Sequence, residues 1–378
     1  MEKKVRENIG WIDLLRVIAC FLVVFSHCCD PFVAQFDADR ESFLTGVFCG
    51  SLVRPCVPLF VMMTGVLLFP VNDTLSSFYK KRIGRIIPPL IFWSIALPLL
   101  FFIYLTYVNP GTANPAIASE HTLQATLTKF FTFLFNFNYD TTPLWYLYML
   151  IGLYLVMPIV SVWMQQASKK DMQLFLLVWG AALLIPYIEM AAPLLGYAGN
   201  YGNFGIWGVC DWNDYGMFYY FSGFVGYLVL AHYLMKYPLQ WSWKKMLFIT
   251  VPMFVVGYLI TSVGYVLTQA KFPGNYAYLE IVWYFAGINV FMMTFAFFVI
   301  VQKFQIRSRR WLSALASLTF GIYLCHFVFM VVSYDLFDLE ADIPYVVRIL
   351  LMAVTTFVIS AVLTYAMKKV RFLKVFVS

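Results

Sequence analysis

The sequence predicts an all-α polytopic membrane protein. Of its 378 residues, 62% are hydrophobic and only 12% are charged, whereas soluble domains contain about 25% charged residues. The mean hydropathy is +0.78. Ten stretches are long enough to cross a hydrocarbon core of about 30 Å as helices. These predicted spans are 11–30, 49–69, 85–107, 143–164, 172–190, 216–235, 246–268, 279–301, 311–333 and 344–367.

The basic residues set the orientation of these spans. Of the 26 lysines and arginines, 20 lie in alternate connections, at 1–10, 70–85, 165–171, 236–245, 302–310 and 368–378. The intervening connections contain only Arg40, Lys129 and Lys271. Because basic loops stay in the cytoplasm, both termini are predicted to be cytoplasmic. The net charge of +7 therefore reflects topology and does not indicate binding of nucleic acid.

The whole chain, 1–378, is predicted to form a single membrane domain. Its first apolar stretch differs from a cleaved signal peptide because Asp13 and Arg16 interrupt it and no small-residue cleavage site follows. The sequence contains no Walker motif, no GxGxxG and no HExxH, which argues against an ATP-driven pump, a Rossmann enzyme and a zincin. The seven cysteines lack the paired spacing of a zinc site, so we expect no metal.

The first span, WIDLLRVIACFLVVFSHCCD, contains two polar residues that a plain anchor does not need. Arg16 and His27 are eleven positions apart, which is close to three helical turns and about 16 Å along one face. An arginine in hydrocarbon costs about 2.5–3.5 kcal/mol and usually faces a polar cavity. Two alternatives stay open: Arg16 could pair with Asp13 or reach the cytoplasmic surface, and His27 could be an interfacial residue.

Residue counting predicts a polar pocket in the outer half of the bundle. His326 lies about 15 residues, and His27 about 16 residues, from the cytoplasmic start of its own span, so at 1.5 Å per residue both reach the same level. Arg54, Glu280 and Arg348 lie near the outer ends of their spans. Polar and charged side chains are costly to place in the membrane, so several at the same depth suggest a shared site. The alternative is a set of separate interfacial residues.

A basic motif, KKRIGR (80–85), lies at the cytoplasmic mouth of the third span. Arg82 and Arg85 are on one helical face at i and i+3. Arginines bind phosphate in a bidentate manner, so this pair is a candidate site for an anionic cofactor. The alternative is that the run is only a topology signal.

Two long outer connections are rich in aromatic residues. In 108–142, the segment TLTKFFTFLFNFNYD is predicted to lie in the outer interface or to fold back into the bundle. In 191–215, aromatic rings alternate with short polar side chains, a combination that fits the C–H face and the hydroxyls of a sugar. An aromatic belt at the membrane surface is the alternative. The candidate substrate-binding residues are Trp145, at the start of the fourth span, and Trp207, Asp211, Trp212 and Asp214.

Together these motifs resemble the integral-membrane acyltransferase 3 family. The spacing of Arg16 and His27 is similar to that family's arginine, ten residues, histidine motif, and Arg82 with Arg85 to its RxxR motif. VPLFVMMTGVLLF (57–69) resembles its PxFFxxSG stretch, with Thr64 in place of the usual serine. Two later segments are also similar to the family's, namely PLWYLYMLIGLYLVMPI (143–159) and FGIYLCHFVFM (320–330). The resemblance covers nearly the whole chain.

The resemblance implies acyl transfer, commonly O-acetylation of an extracytoplasmic or lipid-linked sugar, with cytoplasmic acetyl-CoA as the donor. Arg82, Arg85 and Arg16 would bind the donor, and His27 would act as general base or as acyl carrier. His326 or Arg54 would stabilise the oxyanion. We expect a protein of the cytoplasmic membrane whose site opens toward the outer face, and a homo-oligomer is compatible with the sequence. A transporter or flippase for a lipid-linked saccharide, without bond chemistry, is the alternative.

Overall fold

The computed structural model describes residues 10–117, 120–134, 138–197, 205, 207–210, 213–304, 306–307, 309–338 and 343–378. Within these ranges the regular structure is helical and contains no β-strand, which confirms the all-α prediction. The α-helices, in chain order, are α1 (Gly10–Val33), α2 (Arg40–Leu52), α3 (Cys56–Leu68), α4 (Leu75–Ile103), α5 (Leu123–Thr132), α6 (Trp145–Gln166), α7 (Lys169–Ala182), α8 (Ile185–Ala191), α9 (Val225–Lys236), α10 (Trp243–Lys271), α11 (Tyr276–Trp283), α12 (Ile288–Lys303), α13 (Arg310–Ala316), α14 (Thr319–Asp338) and α15 (Tyr345–Lys369).

Nine helical segments of the described chain are long and apolar enough to cross a membrane. The prediction of a polytopic membrane protein is therefore confirmed, while the cytoplasmic placement of the termini stays a prediction. The predicted span 216–235 is not among the nine because it is interrupted. A 3-10 helix, Gly216–Phe221, is followed by Gly223 at φ 75° and then by α9. The 12 residues of α9 extend only about 18 Å, whereas the hydrocarbon core is about 30 Å thick.

The chain forms two compact units by its internal contacts. One unit comprises the described residues of Met1–Val53, Asp73–Val156 and Gln305–Ser378. Its central element is α1, which packs against α2, α13, α14 and α15. Gly321 on α14 lies so close to α15 that a Cβ there would be 2.4 Å from Cγ2 of Thr364. Such close approach through small residues is typical of helix packing in membranes.

The second span begins nine residues before the predicted position, at Arg40 instead of residue 49. The cause is a helix cap, because Oδ1 of Asp39 accepts a hydrogen bond of 3.0 Å from the backbone N–H of Ser42. Glu41 in the first turn adds a favourable charge at the helix N-terminus. The polar sequence before residue 49 is therefore helical.

The other unit comprises Arg54–Asn72 and the described residues of Met157–Phe304. In it, α3 packs against α9 and α10 packs against α12. The predicted span 279–301 is interrupted between α11 and α12, at residues 284–287. The interruption releases backbone carbonyl groups that would be costly to leave unpaired in a membrane.

Side chains satisfy these carbonyl groups. Nδ2 of Asn289 donates to the Val282 oxygen at 2.7 Å, and the Tyr227 hydroxyl donates to the Phe285 oxygen at 2.8 Å. The Trp283 oxygen accepts from both Nε and Nη2 of Arg54, at 3.0 and 2.7 Å. The break is thus a stable feature of this unit.

Candidate active site

The packing of α1 against α14 brings two histidines into contact. The ring centroids of His27 and His326 are 5.3 Å apart, with an interplanar angle of 38°. Residue counting predicted that the two histidines lie at the same depth in the bundle, and the contact between their rings agrees with this prediction. His326 is fully buried, whereas the side chain of His27 keeps 19% of its surface exposed. A substrate could therefore reach His27 more directly than His326.

The partners of each ring fix its tautomer. Nδ1 of His326 is 2.6 Å from the Tyr323 carbonyl oxygen, and because a carbonyl only accepts, Nδ1 carries the proton. Nε2 of His326 is then an acceptor, and it is buried without a hydrogen-bond partner. Nδ1 of His27 is 2.9 Å from Oδ2 of Asp30, so it donates to that carboxylate, and in the neutral imidazole Nε2 is the acceptor. Each histidine thus has one free basic nitrogen.

Asp30 is a functional candidate that the sequence analysis missed. It lies at i+3 from His27, on the same face of α1, where its carboxylate orients the imidazole. The pattern His–x–x–Asp at the outer end of a span was the available signal. An orienting carboxylate is the third group expected beside a catalytic histidine.

Aromatic rings enclose one side of this pair. The Phe327 ring packs edge-on against His27 at 5.2 Å and also contacts the rings of Phe101 and Tyr139, at 5.9 and 5.1 Å. The Tyr139 hydroxyl is buried without a hydrogen-bond partner. The hydroxyl interacts electrostatically with the Asp30 carboxylate. Tyr139, also missed from sequence, therefore places a free hydroxyl near the pair.

Arg16 lies toward the other end of α1. Its Nη1 forms an ion pair of 3.6 Å with Oδ1 of Asp13, and Oδ2 of Asp13 accepts a 2.5 Å hydrogen bond from the Ser313 hydroxyl. Pairing with Asp13 was one of the alternatives stated for Arg16 in the sequence analysis. The Arg16 side chain keeps 36% of its surface exposed, so its remaining donors are accessible to a ligand.

Arg82 and Arg85 form a basic surface on the first half of α4. Arg82 is half-buried and Arg85 is exposed, and both are close enough to Tyr154 of α6 to act on it electrostatically. The neighbouring Lys81 is paired with Asp73 at 2.8 Å. The ammonium group of Lys81 is therefore committed to an acidic partner.

A family model described as an acyltransferase domain matches residues 9–365. The chain belongs to the acyltransferase 3 family. The match confirms the resemblance found in the motifs, and together with the apolar helices it makes the protein a membrane acyltransferase. No curated protein and no solved structure matches the chain.

Arg54 of the acyltransferase belongs to the other unit. Besides its two hydrogen bonds to the Trp283 carbonyl oxygen, its guanidinium lies 4.9 Å from the Trp283 ring centre and 4.1 Å from that of Phe285. These contacts commit the side chain to the helix break at 284–287. They favour a structural role for Arg54, while its part in stabilising an oxyanion stays a prediction.

The candidate sugar-binding residues of the acyltransferase fall into three groups. Trp145 lines a half-open cavity of about 250 Å³ together with Ser94, Thr141 and Tyr148. Trp207 and Asp214 are exposed in the other unit. Asp211 and Trp212 lie outside the described residues. Of these candidates, Trp145 has a cavity beside it in the described part of the chain.

Proposed function

We propose that the acyltransferase transfers an acetyl group from acetyl-CoA, taken up at the cytoplasmic side, to a hydroxyl of an extracytoplasmic or lipid-linked sugar. The observation that carries the proposal is the His27–Asp30 pair. An imidazole whose Nδ1 proton is held by a carboxylate has its Nε2 lone pair ready to take a proton from a nucleophile. Acetyl and sugar are the commonest donor group and acceptor of the family that the motifs resemble.

In the first route, His27 is a general base. Nε2 of His27 removes the proton of the sugar hydroxyl while the oxygen attacks the thioester carbonyl carbon. The Tyr139 hydroxyl, buried without a partner, is the proposed donor to the oxyanion that forms. Collapse of the tetrahedral intermediate breaks the C–S bond, and the proton on His27 passes to the sulfur of CoA.

In the second route, His27 is an acyl carrier. Nε2 of His27 attacks the thioester carbonyl carbon, the C–S bond breaks, and the Nδ1 proton passes by way of the Asp30 carboxylate to the sulfur, so CoA leaves as the thiol and an acetyl-imidazole remains. The sugar hydroxyl then attacks that acetyl group and gives its proton to Nε2 of His326, the free acceptor beside it. The C–N bond to His27 breaks, and the proton passes from His326 to His27, which restores both neutral rings. Stoichiometric release of CoA without any acceptor supports this route, and its absence supports the first.

Arg82 and Arg85, with Arg16, are the proposed contacts for the phosphates of acetyl-CoA. Each charge-assisted hydrogen bond contributes about 1.5–3 kcal/mol, so we expect Arg82→Ala with Arg85→Ala to weaken acetyl-CoA binding by at least about tenfold. Titration calorimetry of the purified protein measures this. Lys81→Ala is the control because Lys81 already pairs with Asp73. An unchanged affinity in the double variant would assign KKRIGR to topology alone.

The direct test of the activity uses purified protein in lipid vesicles. Incubation with acetyl-labelled acetyl-CoA and the envelope glycan of the expressing cell should yield free CoA and labelled glycan. Alkaline treatment should release the label if it is held as an ester. If intact, folded protein produces no labelled glycan, the proposal is wrong.

The alternative, a flippase for a lipid-linked saccharide, has one observation in its favour. The span containing α11 and α12 is interrupted, as membrane helices of transporters often are at their cargo sites. Here, however, the carbonyls of Val282, Trp283 and Phe285 are occupied by side chains of the protein. Saccharide translocation without acetyl-CoA would support the flippase, and dependence on acetyl-CoA would support the enzyme.

A further inference from the structure

The unit that contains His27 and His326 also has a polar cleft that the mechanism above does not use. It measures about 520 Å³ and runs along one side of α5. Three of its lining residues, Gln124, Thr128 and Thr132, follow each other at a spacing of four and so form one row on the helix. The lining also includes Glu120, Thr122, Lys129 and Asn138.

The two threonines of the row offer hydrogen-bond acceptors. The Thr128 hydroxyl donates to the Gln124 carbonyl oxygen at 2.9 Å, and the Thr132 hydroxyl donates to the Thr128 carbonyl oxygen at 2.9 Å. Each hydroxyl proton is thus used within α5, while the oxygen keeps lone pairs for a ligand. Oδ1 of Asn138 is buried without a partner. A complementary ligand must be rich in donors.

The positive charge of the cleft is neutralised. Nζ of Lys129 donates to Oδ2 of Asp140 at 2.7 Å and to the Glu120 carbonyl oxygen at 2.9 Å. Oδ1 of the same fully buried aspartate lies 2.9 Å from Nε2 of His121. Breaking such a buried network is costly, so Lys129 is held in place and its charge is not available to a phosphate. Glu120, which is exposed in the lining, adds a negative charge, so the cleft does not favour an anionic ligand.

Three consecutive residues join the cleft to the histidine pair. Asn138 lines the cleft, the Tyr139 ring contacts Phe327, and Asp140 anchors the segment. The Phe327 ring in turn contacts His27. A ligand that contacts Asn138 would therefore lie next to Tyr139, whose ring packs on Phe327 beside His27.

We propose that this cleft binds the acceptor of the acetyl group, and that it recognises a neutral, polyhydroxylated sugar through the sugar's hydroxyl donors. The inference rests on the proposed function and adds the place and the chemical class of acceptor binding. The sugar's hydroxyls donate to Thr128, Thr132 and Asn138. A phosphate or sulfate group is disfavoured because Glu120 in the lining is acidic and the charge of Lys129 is committed to Asp140.

The test compares Thr128→Trp, which fills the cleft, with Leu127→Trp on the same helix. Leu127 is 45% exposed and does not line the cleft, so its variant is a matched control. The probe is the envelope glycan of the expressing cell, labelled with a fluorophore, and its binding is followed by fluorescence polarisation in low and high salt. Acetyl-CoA affinity and acetyl transfer are measured on the same preparations.

We expect Thr128→Trp to weaken glycan binding and transfer by at least about tenfold, with unchanged acetyl-CoA affinity and no salt dependence in the wild type. Gln124→Trp, in the same row, gives the same result if Thr128→Trp does not fold. Equal glycan binding by the cleft-filling variants and Leu127→Trp overturns the proposal, as does binding that disappears in high salt or a wild type that binds no glycan. If the glycan binds at the cleft but no CoA is released, the proposed binding site is supported and the proposed function is wrong.

Discussion

His27 has one ring nitrogen committed to Asp30 and the other free, so substitution of either residue should affect catalysis more than folding. We expect His27→Ala to abolish acetyl transfer. Asp30→Asn should lower kcat by about 10²–10⁴-fold, because the imidazole loses the carboxylate that fixes its tautomer. Both variants should bind acetyl-CoA normally in titration calorimetry.

The matched control is His232→Ala, because that histidine lies in the other unit, with its ring 6.0 Å from Phe69. It should transfer acetyl groups at the wild-type rate. Full activity of His27→Ala would remove this histidine from the mechanism. Loss of folded protein in Asp30→Asn would instead assign the carboxylate to stability.

Substitution of Arg54 distinguishes a structural role of this residue from a catalytic one. Arg54→Leu leaves the Trp283 carbonyl oxygen without its donors, and an unpaired buried polar group costs about 1–3 kcal/mol. We expect a lower unfolding temperature in detergent, with kcat per folded molecule close to wild type. A kcat lowered by about 10²–10³-fold in stable protein would show oxyanion stabilisation instead.

The sequence allowed part of this site to be predicted. Helical periodicity and charge bias give each residue a depth, and depth was enough to place His27 level with His326. It was not enough for Asp30, because an acidic residue at the end of a span also looks like an ordinary interfacial residue. The position of Tyr139 beside the histidines depends on the path of the chain through 108–142, and no local sequence pattern encodes that path.

The cap of α2 is an element whose strength should depend on pH. Hydrogen bonds from the Ser42 N–H and the Tyr345 hydroxyl lower the pKa of Asp39. A carboxylate with a lowered pKa stabilises the fold above its unfolded pKa of about 3.9, and this contribution disappears as the pH falls through the folded value. Asp39→Ala should therefore cost about 0.5–2 kcal/mol at neutral pH.

Thermal unfolding of purified Asp39→Ala and wild type, from pH 7 to about pH 3, measures the difference. It should shrink as the pH falls. Asp37→Ala is the control, since Asp37 is exposed and caps no helix. A difference that stays constant down to the acid limit would show that the cap does not depend on the charge.

Hydropathy identified the spans well but not their interruptions. A window of about 20 residues averages over a break, so 216–235 and 279–301 had the signal of continuous helices. In the structure one is interrupted near Gly223 and the other at 284–287. The second break is stable because Arg54, about 230 residues earlier in the chain, supplies the missing donors. Such a distant partner is invisible to any local pattern.

For the whole molecule we predict that donor and acceptor enter from opposite faces of the membrane. Arg82 and Arg85 lie on the predicted cytoplasmic side, while the cleft beside α5 belongs to a predicted outer connection. In sealed vesicles, acetyl-CoA should support glycan acetylation only when it is supplied on the cytoplasmic side. Equal rates from either side, with vesicles shown to be intact, would contradict a transmembrane transfer.

The division of the chain also sets an order of synthesis. The part that carries His326 follows the long segment Met157–Phe304 of the other unit, so His27 is made about 300 residues earlier. At about 5–20 residues per second, α1 waits roughly 15–60 s for α14. During that interval the face of α1 that later packs on α14 must be covered by lipid, by α2 or by an insertion chaperone. A ribosome stalled after residue 304 would leave in the membrane a chain that carries His27 without His326.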